Sequence, residues 1–170
     1  MQTKIHTLVM LLSCGPVISV AAAEPPSRLH SKPQLSMALA QKMAMACVSH
    51  QRNNNGPPVD VAIYDDGAKL IYFIAMDGTS SGTGPTAMAK AESAARFRFP
   101  SAEIGGWVKG NPAVGHVPGL LGVRGGLPIF TASGKPLGGI GVSGAPAEVD
   151  EKCAQAAIDA VAPELKDSSS

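Results

Sequence analysis

The sequence predicts an α+β layered domain, an antiparallel sheet flanked by helices. Three observations predict it. Strand-like segments at 59–64 and 70–76 are joined by the tight turn Asp65-Asp66-Gly67, and segments at 127–131 and 137–143 by Ala132-Ser133-Gly134-Lys135. Such short links allow only antiparallel pairing. Helical patterns precede, separate and follow the two hairpins, so helices layer on a hairpin-built sheet rather than crossing over in parallel βαβ units.

The N-terminus is set aside first. Lys4, an apolar run from Leu8 to Val20, and Ala21-Ala22-Ala23 before Glu24 read as a cleaved secretory signal over residues 1–23. The run is too short and broken to span a bilayer. A lipoprotein signal ending at Cys14 is the competing reading, and would leave 15–23 as an apolar stub. Residues 24–33, rich in proline, read as a flexible leader, 34–163 as the folded domain and 164–170 as a polar tail.

Within the domain, Leu35, Leu39, Met43, Ala46, Cys47 and His50 recur at spacings of three and four, a helix over 34–50 stopped by Asn53-Asn54-Asn55-Gly56-Pro57-Pro58. Val59, Val61 and Ile63 alternate with polar or small residues, a strand with one core face. Leu70 to Met76 is apolar throughout, as a central strand covered on both faces would be. A Gly/Ser/Thr loop over 77–85 leads to a helix over 86–97, with Met88, Ala91 and Ala95 on one side. Residues 99–121, broken by glycines and prolines around Trp107 and His116, read as a long irregular loop of the kind that often carries function. Pro128 confines the strand at 127–131 to an edge or a bulge. Pro146 suits the first position of the last helix, where Glu148, Asp150 and Glu151 favour the dipole. Val149, Cys153, Ala156, Ala157 and Ala160 are its expected buried stripe.

Composition narrows the function. Removing 23 residues from 170 removes one charged side chain, Lys4, and leaves 13 basic and 13 acidic residues. So balanced a chain has no field to draw nucleic acid, and nothing predicts membrane insertion once the signal is gone. Gly138-Gly139-Ile140-Gly141 follows a hairpin strand rather than a parallel one, so it is no dinucleotide fingerprint, and no phosphate-binding Gly-Lys-Ser/Thr is present. The glycines build a corner, or the amides from Ser143 and Gly144 to Ala147 hold a carboxylate at the helix start. His50 and His116 are the candidate metal ligands, each an imidazole that could reach a haem iron or simply sit at a polar surface. Met76 and Met88 are soft alternatives or core filling. Cys47 and Cys153 are either a disulfide or two small buried thiols. No nucleophile elbow or triad spacing appears, so no residue is assigned as catalytic.

The ordered series VAIYDDGAKLIYFIAMDG, AMAKAESAARF with FPSAE after it, GGLPIF, GGIGVSGA and EVDEKCAQAAIDA resembles the GlcG/HbpS family. That family includes the haem-binding C-terminal domain of PduO-type corrinoid adenosyltransferases. The resemblance spans Leu35 to Val161. It implies a profilin-like fold, a homo-oligomer, secretion in some members and haem binding in several. It does not imply adenosyltransferase activity, which belongs to a separate domain. In such a fold the first and last helices share one side of the sheet, which would bring Cys47 to Cys153. Asp65, Asp77 and Gly67, Gly78, Gly125, Gly126, Gly141 and Gly144 match the family's turns, and Lys90 matches its central helix as a ligand-facing charge. The resulting expectation is a periplasmic or secreted small-ligand-binding protein with haem as cofactor. The alternatives are an enzyme or accessory factor for a small carboxylic acid, or an oligomeric scaffold.

Overall fold

The computed structural model describes residues 32–166. The signal sequence, the lipobox-like Cys14, His30 and the last four residues lie outside the described residues. Four helices, α1 (Met37–Asn53), α2 (Thr83–Phe97), α3 (Ser101–Gly110) and α4 (Ala147–Val161), accompany four strands, β1 (Asp60–Asp65), β2 (Leu70–Ala75), β3 (Gly126–Phe130) and β4 (Pro136–Ser143). Short 3-10 helices follow α3 (Pro112–His116) and α4 (Ala162–Glu164). The sheet runs β2-β1-β4-β3 with every pair antiparallel. The expected α+β class and both hairpins are therefore present.

Local chemistry sets the ends. Ser36 caps α1, its Oγ accepting from the Leu39 amide at 3.2 Å, as N-cap serines do. The β1–β2 turn is organised by Asp65, whose Oδ1 accepts from the amides of Gly67 and Lys69, each at 2.9 Å. The positive φ falls on Ala68, at 57°, rather than on Gly67. α2 begins at Thr83, three residues before the expected start, because Pro85 is tolerated within a helix's first turn.

α1 and α4 cover one face of the sheet, α2 and α3 the other. On the first face Val61, Ile63, Ile140 and Val142 are fully buried among Met43, Cys47, Ala154 and Ala157. Each large apolar side chain so buried contributes about 1.5–3 kcal/mol. Cys47 and Cys153 are bonded here, with Cα atoms 4.8 Å apart. On the second face the contact is flatter, because a Cβ on Gly139 or Gly141 would stand 2.5 Å and 2.1 Å from the carbonyl oxygens of Ala91 and Ala87. Glycine there lets the α2 backbone rest on the strand, and Ala62, Ala87 and Ala91 complete a small cluster.

Three expectations change. β2 is an outer strand, not a central one, and Leu70 and Phe73 are each 39% exposed. An unbroken apolar run fits either place, and strand order alone decides between them. The stripe of α1 is Ala40, Met43, Ala44, Cys47, Val48 and Gln51, leaving Ala46 and His50 half-buried, and α4 buries Asp150, Cys153, Ala154, Ala157 and Val161. In alanine-rich helices several faces are apolar, so periodicity does not select one. Finally, 99–121 is not simply a loop. α3 forms with Ser101 and Ile104 buried, the Ser101 Oγ accepting from the Gly126 amide at 2.8 Å. Tertiary contact here overrides the poor helix propensity of Gly105, Gly106 and Gly110.

Candidate functional site

Among the amides expected to hold an anion before α4, that of Ala145 is engaged with the protein itself. Asp150, one turn into the helix, accepts at Oδ1 from the Ala145 amide at 3.0 Å and at Oδ2 from Lys90 Nζ at 2.9 Å. Lys90 also donates to the Val142 carbonyl at 2.8 Å. Both side chains are buried, 2% and 3% exposed. Burial pushes the Asp150 carboxyl above its usual range, and its bonds to Lys90 and Ala145 pull it back only in part. The Ala145 amide is thus bonded to the chain's own carboxylate. Lys90 ties α2 to α4 through this buried pair, where the family resemblance implied a ligand-facing charge.

Ser143 is buried at the end of β4, and Gly144 makes the corner with φ +138°, where a Cβ would lie 2.4 Å from the Pro58 oxygen. Gly144 is therefore dictated by close approach. Met76 and Met88 pack partly buried against the two apolar clusters. Tyr64, half-buried beside α2, has its phenol raised by burial and then by Glu92.

The two candidate histidines are not brought together. His50 is half-buried in the last turn of α1, on one side of the sheet. His116 is exposed on the 3-10 helix packed against α3, on the other side. One chain therefore cannot place both imidazoles on a single iron. Among the described residues, no group of three His, Cys, Asp or Glu could hold a metal ion, and no helix is long and apolar enough to cross a membrane.

Two open grooves meet at Arg124. One, of about 360 Å³, lies against α4 and is walled by Arg124, Leu127, Glu148, Glu151, Lys152 and Gln155. Arg124 Nη1 donates there to Glu151 at 3.1 Å. The other, of about 260 Å³, lies between α3 and the segment before β3, against Ala102, Gly105, Gly106, Lys109, Gly122 and Arg124. A helix-interior glycine costs about 1 kcal/mol relative to alanine. Gly105 has a packing reason, since a Cβ would lie 2.4 Å from the Gly122 oxygen, but Gly106 has none, with nothing within 4 Å. Beside it Trp107 meets Phe99 edge-on, centroids 4.8 Å apart, and both rings are over a third exposed. Sequence reasoning passed over Lys109, Arg124 and Gly106. The Gly105-Gly106 pair next to Trp107 was the available signal.

Comparison with known proteins places this geometry among relatives. A family model described as "Haem degrading protein HbpS-like" matches residues 35–159. A crystal structure of a double mutant of HbpS from Streptomyces reticuli is 30% identical, with TM-score 0.73, covering 85% of this chain and 97% of that one. The Klebsiella pneumoniae protein ORFY is 25% identical, with TM-score 0.71, covering 80% and 97%. The crystal structure of a PduOC:Heme complex is 26% identical, with TM-score 0.69, covering 75% and 95%. No curated protein sequence matches.

Proposed function

Because the chain belongs to the HbpS-like family, we propose that it binds haem as an exported small-ligand-binding protein. The likeness to a relative solved with haem carries this reading. The residues present suit the group: an exposed imidazole at His116, two cations at Lys109 and Arg124 for carboxylates, and the exposed side chains of Phe99 and Trp107. Bound haem supplies a redox-active iron. The chain's part is to hold it, with a histidine nitrogen toward the metal and cations at the acidic edge. His116 is the preferred iron ligand because its imidazole is exposed on the 3-10 helix that follows α3, and His50 is the alternative.

The buried disulfide supports an oxidising compartment, periplasmic or extracellular, in agreement with the N-terminal signal pattern. Exposed Leu70 and Phe73 on the outer strand β2 support a homo-oligomer. The alternative of a small carboxylic acid held before α4 loses its main support, since Asp150 takes the Ala145 amide.

A haemin titration read at the Soret band tests the proposal. A saturable band that His116→Ala abolishes and His50→Ala leaves intact is expected. A response identical to a protein-free blank would overturn haem binding.

A further inference from the structure

We infer that the outer strand β2 pairs antiparallel with β2 of a second copy of this chain, about a two-fold axis at Phe73, with Lys69 of each copy beside Asp77 of the other. This rests on the homo-oligomer reading and adds the edge, the register and the charges that select the partner.

Of the sheet's two edges, one is closed. Val142 donates to the Gly125 carbonyl at 2.9 Å, and the register sets Leu127 against Ile140 and Pro128 against Gly139. Residues 125, 127 and 129 therefore bond β4, and those between them turn their backbone groups outward. Pro128 stands at an outward position, where its missing N–H interrupts any added ladder.

The same alternation leaves β2 open. Met76 donates to the Val59 carbonyl at 3.1 Å, and Asp60 lies opposite Ala75. Tyr72, Ile74 and Met76 are thus turned to β1, while Phe73 and Ala75 present their backbone groups outward. The strand reads Leu-Ile-Tyr-Phe-Ile-Ala, without the proline or charge by which sheets protect an edge. A bulge at Ile71, where the register passes from Tyr72 to Leu70, is its one interruption.

Charge selects the occupant. Lys69 and Asp77 are exposed, and neither joins an ion pair among the described residues. Each lies four residues from Phe73, on opposite sides. An antiparallel copy centred on Phe73 therefore meets opposite charges at both ends. Centring on Ile71 would set Asp77 against Asp65, and centring on Ala75 would set it against Phe73. The side chains agree with the Phe73 centre. Phe73, 39% exposed and opposite Ala62 on the α2 side, pairs with its own copy across the junction. On the other side Tyr72 meets Ile74 of the second copy, and both are partly buried residues packed against the main core. Pairing like with like about a two-fold axis closes the assembly, so the edge is used up instead of growing into a fibre.

Sedimentation velocity on the full chain tests this. Phe73→Lys places a charge on the axis. Lys69→Glu sets like charges opposite each other at both ends, and so does Asp77→Lys. Each variant is expected to raise the dissociation constant of the assembly about tenfold or more and to sediment as a smaller species. Mixing Lys69→Glu chains with Asp77→Lys chains restores opposite charges at both ends, and the mixture should recover the size that each variant alone has lost. Thermal melting confirms that the variants are folded, and both charge changes are at exposed positions. If the unsubstituted protein is oligomeric and all three variants keep its size, the β2 interface is overturned while the homo-oligomer reading stands. Charge variants that dissociate but do not recover on mixing overturn the register. An unsubstituted protein that is monomeric at every concentration ends both readings.

Discussion

Replacing Lys90 by methionine should destabilise the protein in a pH-dependent way. The side chain is 2% exposed and its Nζ lies 2.9 Å from an Asp150 oxygen that is equally sequestered. Methionine nearly matches the stem's volume, so the perturbation is chiefly electrical. It leaves Asp150 with the Ala145 amide as its remaining hydrogen bond. Breaking a buried pair from one side costs about 3–5 kcal/mol, a large part of the roughly 5–15 kcal/mol that holds a domain together.

The carboxyl can escape by taking up a proton. Burial already holds its pKa above the ordinary value, and Lys90 supplies two of the influences that lower it, a hydrogen bond and a charge. Removing them pushes the folded-state pKa higher. A group with a raised folded pKa keeps a proton that the unfolded chain has lost. Stability is therefore full below the unfolded value of about 3.9. It falls as pH rises toward the folded pKa, by about 1.4 kcal/mol for each pH step of one between the two values. Urea unfolding of the Lys90→Met variant should show a smaller loss at about pH 4.5 than at about pH 7.5. Lys90→Met combined with Asp150→Leu should recover most of the stability, because neither desolvated charge remains. Equal losses for Lys90→Met at both pH values would refute the reasoning and reduce Lys90 to a packing residue.

Two further outcomes follow from the fold. Gly141→Ala should cost about 3 kcal/mol or prevent folding, since its Cβ meets the Ala87 carbonyl oxygen at 2.1 Å and α2 must lift from the sheet; thermal melting checks this, and an unchanged midpoint would mean that α2 sits farther away. Replacing Cys47 and Cys153 by alanine should cost up to about 4.8 kcal/mol, the loop-closure value for a bridge across 106 residues, seen as a lower urea midpoint that reductant no longer shifts.

The sequence by itself determined the hairpins, the helices around them and the family. Those follow from local rules: the Asp65-Asp66-Gly67 turn, the two-residue alternation of Val59, Val61 and Ile63, and the helix-stopping run at Asn53 to Pro58 act over a few residues. Pro128 placed β3 at an edge for the same kind of reason, the lack of a donor. Tertiary structure alone decided which face of an alanine-rich helix is buried, because alanines satisfy more than one face until the sheet and the Cys47–Cys153 bond choose. It also decided that Leu70 to Ala75 lies outermost, that α3 forms across a glycine pair, and that Lys90 meets Asp150, 60 residues farther on. The candidate site was the least legible part. Lys109 and Arg124 share a groove only because α3 packs beside the chain that enters β3, and no local pattern records a contact made between segments so far apart.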